Sequence, residues 1–587
     1  MGKLGYCSYK SMKFGIKNTV SLVLKRKNII FIGAFFLLVF SILYANTFHE
    51  SYPDEFDNIA GGKFIIHGVL PYSGFFSHHG PVAYFIGALI YIFSGSSFVH
   101  FRIFYCVFLF LYFLFTYLFI KKSVGFKEAN AYLAFIPIVS IASTYFWGHM
   151  LIADDLAAYF VIQVFVLLTL KVLYKKILSF RDFAFISILL TLALLSSLTF
   201  VYLILFTYLF TFYLFIKQNS FTIVKKSIIK FMFFMAIPYI VFILYLLITG
   251  SFSDYIYQSI ILNQKYYIYN YPRPVGATSI NPIRFAIMIS STFYNNFQNL
   301  LYQVKDFNFV FPFNISLAIA NVALAIYIFT KKHYTLFIFY FLVLIYANAR
   351  SSPLDSSEKD YQAAVYIVVS LFSMCLFLSK AYEDLKSNTN YPQKLILSSL
   401  FMLVGIYSFF NVAFLFERFK DKSFEKYMGV AAQIYDRPEI APVLNKIITK
   451  DDYVWIGPLE FEEYLYTNAK LATRYHMLIP AMGRSDKIPA EMIAELKKTM
   501  PKVIFFNKKY AILGQSPEQY GKFFTNFLKD NYITLYPSPD KNIKYVSLVP
   551  ITQHFDLETN LYINKNYKEE IIRKMESENI IKTVLEK

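Results

Sequence analysis

Cysteine is nearly absent from this 587-residue chain. Its three cysteines, Cys7, Cys106 and Cys375, lie far apart, and two fall inside apolar runs. Neither a disulfide framework nor a cysteine-based metal knuckle is implied. Charge is also scarce: 16% of residues are Asp, Glu, Lys or Arg against 57% apolar, a balance that argues against a set of soluble domains. The sequence has no GxxxxGK[ST] and no GxGxxG, so the glycine loops that cradle nucleotide phosphates are missing. Internal repeats and low-complexity segments are missing too. Acidic residues are the scarcer sign, 38 against 57 basic, for a net charge of +19. A nucleic-acid partner is nevertheless excluded, because the lysines sit in short clusters at the ends of apolar runs. Such clusters are the positive-inside signal and a match to anionic lipid headgroups.

What is present is apolar length. Runs of roughly 17–22 residues without acidic interruption suit the ~30 Å hydrocarbon core. Candidate spans are 29–45, 100–120, 129–147, 154–173, 182–198, 200–216, 228–248, 309–330, 334–349, 361–379 and 394–414, about eleven in all. The N-terminus is basic and shows no small-residue cleavage site before Asn46, so the first run reads as a retained span. The segment 82–95 is apolar but too short to cross comfortably. If it lies along the surface, the basic residues before Phe31 and the clusters at 121–127, 171–181, 217–230, 331–332 and 380–386 all fall on the cytoplasmic side. The loops 46–99, 148–155, 249–308 and 350–360 are then outside, as is everything after about 415. The Tyr-rich stretch YIYQSIILNQKYYIYNYPRP in the loop 249–308 suits the membrane interface. From 416 the character changes. YVWIG (453–457), KVIFF (502–506), YITLY (532–536) and KYVSLV (544–549) read as strands; 488–500 and 516–530 read as amphipathic helices. The fold class expected is therefore an α-helical polytopic membrane protein with about eleven transmembrane helices, interfacial helices in the first outer loop, and a small C-terminal extracytoplasmic α/β domain. Its divisions are a basic cytoplasmic 1–28, a membrane region 29–415 and an outer domain 416–587, with the chain in the plasma (inner) membrane.

Polar chemistry concentrates in SYPDEFDNIAGGKFIIHGVLPYSGFFSHHGPVAYF (51–85). Asp54 and Glu55 follow Pro53, where acidic residues suit a helix N-terminus. The same pair suits a general base for a hydroxyl acceptor, or a hard divalent cation. Asp154 and Asp155 open a span, either as a cap or as a second functional acidic pair. The topology puts both pairs on the outer face. His79, in the pair His78–His79, precedes Gly80–Pro81 beside an expected helix start, a favourable place for phosphate. No third ligand at zinc spacing accompanies it. Outer cations run against the positive-inside bias: Arg102, Lys265, Arg273, Arg284, Arg350 and Lys359. They are headgroup contacts or, together, a clamp for a lipid-linked phosphate.

The acidic pair in the first outer loop, GVLPY (68–72), HHGPVAY (78–84) and Arg102 opening the next span resemble the GT-C glycosyltransferases. The branch they resemble contains protein O-mannosyltransferases and lipid A aminoarabinose transferases. The resemblance implies an enzyme that moves a sugar from a polyprenyl-phosphate donor to a glycan, lipid or protein hydroxyl, usually with inversion. It implies Asp54 as the catalytic aspartate with Glu55 its neighbour, Asp154 or Asp155 as the second acidic position, and His79 near the donor phosphate. A divalent cation, Mg or Mn, is left open. EKDYQAAVY (358–366) meets the family's late tyrosine motif only loosely, and YHMLIP (475–480) carries no assigned role. The competing function is a polysaccharide or lipid-linked-glycan transporter or flippase. It would need polar residues lining a path through several helices and inverted repeats.

Overall fold

The computed structural model describes residues 30–49, 51–267, 282–305, 312–348, 361–387, 391–423, 438–512, 514–538, 543–550 and 556–585. Five described helices are long and apolar enough to cross a membrane: Phe98–Val124, Ala153–Leu173, Leu198–Gln218, Val224–Ile248 and Tyr361–Lys386. They coincide with five of the eleven expected spans. Five more of those spans form shorter apolar helices: Ile30–Asn46, Asn130–Ala142, Leu317–Thr330, Tyr334–Tyr346 and Gln393–Phe409. The remaining one is the helix Phe180–Ser196.

In chain order, α1 is Ile30–Asn46, α2 Pro53–Ile66, α3 Val82–Ser94, α4 Phe98–Val124, α5 Asn130–Ala142, α6 Ala153–Leu173 and α7 Phe180–Ser196. α6 is apolar on every side and is buried over most of its length, at the centre of the bundle. The helix Phe221–Ile248 is equally apolar but peripheral, with Ile229 78% exposed, as a face meant for lipid would be.

The two ends of the bundle are distinct. At one end, Arg102 near the start of α4 donates through Nη1 to the carbonyls of Thr47 (3.2 Å) and His49 (3.1 Å), just past α1. α1 therefore ends where α4 begins, and the 13 residues of α3 between them reach only about 20 Å, short of the ~30 Å hydrocarbon core. At the other end, the expected cytoplasmic loops meet. Lys176 pairs with Glu128 at 3.8 Å, Lys380 stands 3.7 Å over the Tyr174 ring, and Lys331 pairs with Asp384. Lys171, a free basic charge by its sequence, is instead buried in a 2.9 Å pair with Asp182, the residue that completes the capping box of α7 with Ser179.

α2 and α3 pack closely because glycine lets them. A Cβ on Gly62 would lie 2.5 Å from the backbone of Gly87. Between the two helices, Tyr72 of GVLPY adopts a left-handed φ of 69° while fully buried, its hydroxyl donating to the His79 carbonyl at 2.9 Å.

The strands form a five-stranded sheet in the order β2-β1-β3-β6-β4 and a separate β5-β7 pair. β1 is Tyr453–Gly457, β2 Lys470–Leu471, β3 Val503–Phe506, β4 Tyr532–Thr534, β5 Ile543–Ser547, β6 Leu561–Asn564 and β7 Ile581–Leu585. β1 is parallel to both neighbours, whereas β6 runs antiparallel between β3 and β4. Sequence reading locates β1, β3, β4 and β5 and misses β2, β6 and β7. The helix expected over 516–530 is two pieces, Pro517–Tyr520 and Lys522–Asn531, parted at Gly521.

This unit does not stand apart from the membrane region. Ala60, Phe64, Phe75 and Tyr84 share one buried cluster with Val454, Ile456, Val503 and Phe505. Removing this aromatic and aliphatic surface from water is what chiefly holds the sheet on α2.

Candidate functional site

Pro53 opens α2 and puts Asp54 and Glu55 in its first turn, where their charge suits the dipole. The helix then sends the two carboxylates different ways. Glu55 points into the bundle and is fully buried against Arg102. Nη2 donates to Oε2 at 2.6 Å and Nε lies 2.6 Å from Oε1. Burial raises the Glu55 carboxyl above its ordinary range, opposed by the Arg102 charge and hydrogen bond and by the Leu151 N–H. Asn58, one turn on, donates to the Leu151 carbonyl at 2.8 Å, so α2 is stapled to the second outer loop.

The second acidic pair reaches the same place. Asp154 and Asp155 are buried in the first turn of α6. Tyr105, one turn along α4 from Arg102, lies within electrostatic range of Asp155, Glu55 and Arg102 together. Around this knot the His49 and His149 rings stand 5.5 Å apart. Trp147, at a left-handed φ of 62°, has its ring 4.5 Å from Tyr52 and 5.3 Å from Tyr361. The first expected outer loop (46–99), the second (148–155) with Trp147 at the end of the span before it, and Tyr361 at the start of the expected span 361–379 thus meet, although about a hundred residues separate the two acidic pairs.

Asp54 takes the other side of the helix. It is half-buried and lies within electrostatic range of Tyr510, which follows β3. Tyr510 is also within range of Glu460, which follows β1.

The other expected site residues are dispersed. His79 is half-buried, its ring 4.0 Å from His78 and its carbonyl accepting from Tyr72, Ser77 and Ser259. Lys265 pairs with Asp486 at 2.9 Å on the surface of the α/β unit. The stretch 252–265, expected at the membrane interface, is clamped between the first loop and that unit. Gln258 binds the backbone of Tyr72 and Ser77, and Asn263 binds the His78 carbonyl. Arg273, Arg350 and Lys359 lie outside the described residues.

Two connections between α2 and the α/β unit were not foreseen. Lys63 Nζ donates to the carbonyls of Tyr464 (3.0 Å), Leu465 (3.1 Å) and Thr467 (2.6 Å), closing the end of the helix Phe461–Tyr466. Burial lowers its ammonium to about 8. Asp57 accepts from the Tyr84 hydroxyl at 2.8 Å and holds His476 Nε2 at 2.9 Å, so YHMLIP docks on the first loop. No sequence signal marks either pair; each joins residues some four hundred apart. Glu460 and Tyr510 carried a usable signal, since both follow expected strands, and those strands pair in parallel, the arrangement in which α/β sheets place their ligands.

Some polar groups inside the helices pair with one another, whereas the Gln163 amide nitrogen and the Tyr117, Thr169 and Thr191 hydroxyls are buried without a hydrogen-bond partner among the described residues. Tyr132 donates to Gln163, and Tyr340 donates to Asn321 Oδ1 (2.7 Å) with the Ser373 hydroxyl 2.9 Å from its oxygen. Among the described residues no three His, Cys, Asp or Glu side chains are placed to hold a metal ion.

No family model matches the chain, and no curated protein matches it. Among solved structures it is similar to an oligosaccharyltransferase of Archaeoglobus fulgidus in its apo form, at 12% identity and a TM-score of 0.36, over 92% of this chain and 77% of that one.

Proposed function

We propose that this chain is a membrane glycosyltransferase of GT-C type that moves a sugar from a polyprenyl-phosphate donor to a hydroxyl acceptor at the outer membrane face. The observation that carries the reading is the division of labour in the first turn of α2. Glu55 is neutralised by Arg102 in a dry knot with Asp155 and Tyr105, whereas Asp54 stands half-exposed toward the α/β unit. A buried, paired carboxylate makes a scaffold; a half-exposed one can meet a substrate. The motif resemblance in 51–85 supplies the donor class. In this reading the six further apolar helices also cross, the N-terminus is cytoplasmic and the α/β unit is outside.

The mechanism follows from those places. The donor's prenyl tail stays in the bilayer against the apolar helices. Its phosphate lies by His79, near the start of α3, with Arg273, Arg350 and Lys359 as the sequence-assigned cations. Cations there stabilise the phosphate more as the glycosidic bond breaks. Asp54 orients the acceptor hydroxyl for attack on the anomeric carbon from the opposite side, giving inversion. Arg102 and Glu55 fix the α2 turn that aims Asp54. Asp155 and Asp154 hold the α6 start against it.

Transport is less well supported, because the Tyr340–Asn321–Ser373 group is closed on itself and the sequence shows no inverted repeat of spans. The test is donor consumption by the purified chain in nanodiscs, read as release of polyprenyl phosphate from a panel of polyprenyl-phosphate sugars. Wild type should consume at least one donor, and Asp54→Asn none at measurable rate. Near-wild-type turnover by Asp54→Asn would sink the assignment.

A further inference from the structure

The sheet order β2-β1-β3 makes the gap between β1 and β3 a topological switch point. The chain leaves β1 toward β2 on one side and returns to β3 on the other. Open α/β sheets bind ligands in the crevice at the carboxyl ends of such strands. The residues there are chemically unusual for a structural loop. Glu460 follows β1, and Asn507, buried, follows β3 with its Nδ2 3.4 Å from Glu460 Oε1. Tyr510 lies within electrostatic range of Glu460 and of Asp54. Tyr520, within range of Tyr510, is 7% exposed, and its hydroxyl is buried without a hydrogen-bond partner. A buried hydroxyl left unsatisfied is unfavourable, so a ligand atom that paired with it would be favoured there.

We infer that this crevice, walled by Glu460, Asn507, Tyr510 and Tyr520 and facing Asp54 on α2, is the acceptor subsite, that it takes the hydroxyl-bearing end of a glycan, and that Glu460 receives the acceptor proton. The inference rests on the glycosyl-transfer reading above. Two carboxylates, an amide and two phenols are the donor and acceptor set that vicinal sugar hydroxyls require. Burial, with the charges of Glu463 and Glu439, raises the Glu460 carboxyl to about 7 against the Asn507 hydrogen bond, matching a base that works near neutrality. The groups facing it are Glu463 on the following helix, Glu439 ahead of the helix Ala441–Ile447, and Asn507 and Tyr510 after β3. In the transfer step the acceptor oxygen bonds to the anomeric carbon and the bond from that carbon to the phosphate oxygen breaks. The electron pair leaves with polyprenyl phosphate, and the hydroxyl proton passes to the Glu460 carboxylate and then to water. Glu460 is thus a second carboxylate beside Asp54, supplied from the other unit of the chain.

Saturation-transfer NMR on the full chain in nanodiscs tests this with mannotriose, maltotriose and chitotriose as probes. At least one should bind wild type, and Glu460→Gln and Asn507→Ala should each weaken it by about tenfold. Its affinity should change by about threefold or more between pH 6 and pH 8 in wild type and stay flat in Glu460→Gln. Tyr520→Phe removes only the unsatisfied hydroxyl, keeps the fold, and should also weaken the probe, which covers a misfolded Glu460→Gln. No binding of any probe to wild type, or binding unchanged in all three variants, overturns the subsite; an unchanged pH response in Glu460→Gln overturns the proton role. Donor consumption without probe binding sinks the subsite alone. Probe binding that these variants weaken, without donor consumption, sinks the transfer reading alone.

Discussion

Replacing Glu55 by Gln should unfold the protein more easily without being a catalytic lesion in kind. The variant keeps the side chain's volume but leaves the Arg102 guanidinium buried without its counter-charge. The Glu55 and Arg102 side chains are both fully buried, and two nitrogen–oxygen approaches of 2.6 Å join them. Removing one partner of such a pair costs about 3–5 kcal/mol, because the other charge stays in low dielectric. Arg102 would keep its bonds to the Thr47 and His49 carbonyls, which places the loss toward the lower figure. Replacing both members by apolar residues of similar volume, Glu55→Leu with Arg102→Met, should recover most of the loss, since buried pairs are often no better than well-packed apolar groups. Asp54→Asn, one residue away but half-exposed, should change stability by no more than about 1 kcal/mol, the range of a helix N-terminal charge. The assay is thermal unfolding of the purified chain in nanodiscs, run beside donor consumption on the fraction still folded. Glu55→Gln that melts with wild type yet loses all turnover would refute the scaffold role. So would an Asp54→Asn that melts as low as Glu55→Gln.

Lys63→Met should loosen the α/β unit, because three carbonyls lose a charged donor worth about 1.5–3 kcal/mol; limited proteolysis should release the α/β unit faster than in wild type, and equal rates would count against the docking. Glu460 also sets a pH dependence. Its folded carboxyl titrates at about 7 against 4.5 unperturbed, so the folded state binds the extra proton and the cost of ionising Glu460 is absent below the unfolded value. Stability should fall as pH rises from about 4.5 through about 7, and above that Glu460→Gln should exceed wild type by up to about 3 kcal/mol; parallel unfolding curves at pH 5 and pH 8 would contradict it. The topology is read by labelling Lys127→Cys with Cys7 replaced by Ser, the neighbouring Gly125 being unsuitable at φ +123°. A membrane-impermeant thiol reagent should reach it only from the cytoplasm, and outer labelling would invert the assignment.

How much of this is legible in the sequence depends on the range over which each signal acts. Apolar runs found ten helices of the bundle and α7, because lipid-length hydrophobicity is a local property. Charge bookkeeping gave the expectation that α3 does not cross, and α3 is a helix of 13 residues. Strands β1, β3, β4 and β5 showed as short β-branched and aromatic runs. β2 has two residues, whereas β6 and β7 are no shorter than the strands found but abut helix-like sequence, which hides their pattern. The acidic pairs were visible, but not what each carboxylate does. Glu55 and Arg102 are 47 positions apart, and only the fold reveals that each consumes the other's charge. Asp57 with His476, and Lys63 with 464–467, join the first loop to the α/β unit across the whole membrane region, beyond any periodicity. Glu460 was readable in principle from its place after a strand, but that Tyr510 lies within range of both it and Asp54 only the fold reveals.

The most direct measurement is a cryo-EM structure of the full chain with polyprenyl phosphate in nanodiscs. The account predicts phosphate density on the Asp54 side of the bundle, within reach of His79, with the prenyl tail running down between apolar helices toward the Lys171–Asp182 end. Phosphate seated at that far end, among Lys176, Lys331 and Lys380, would contradict it.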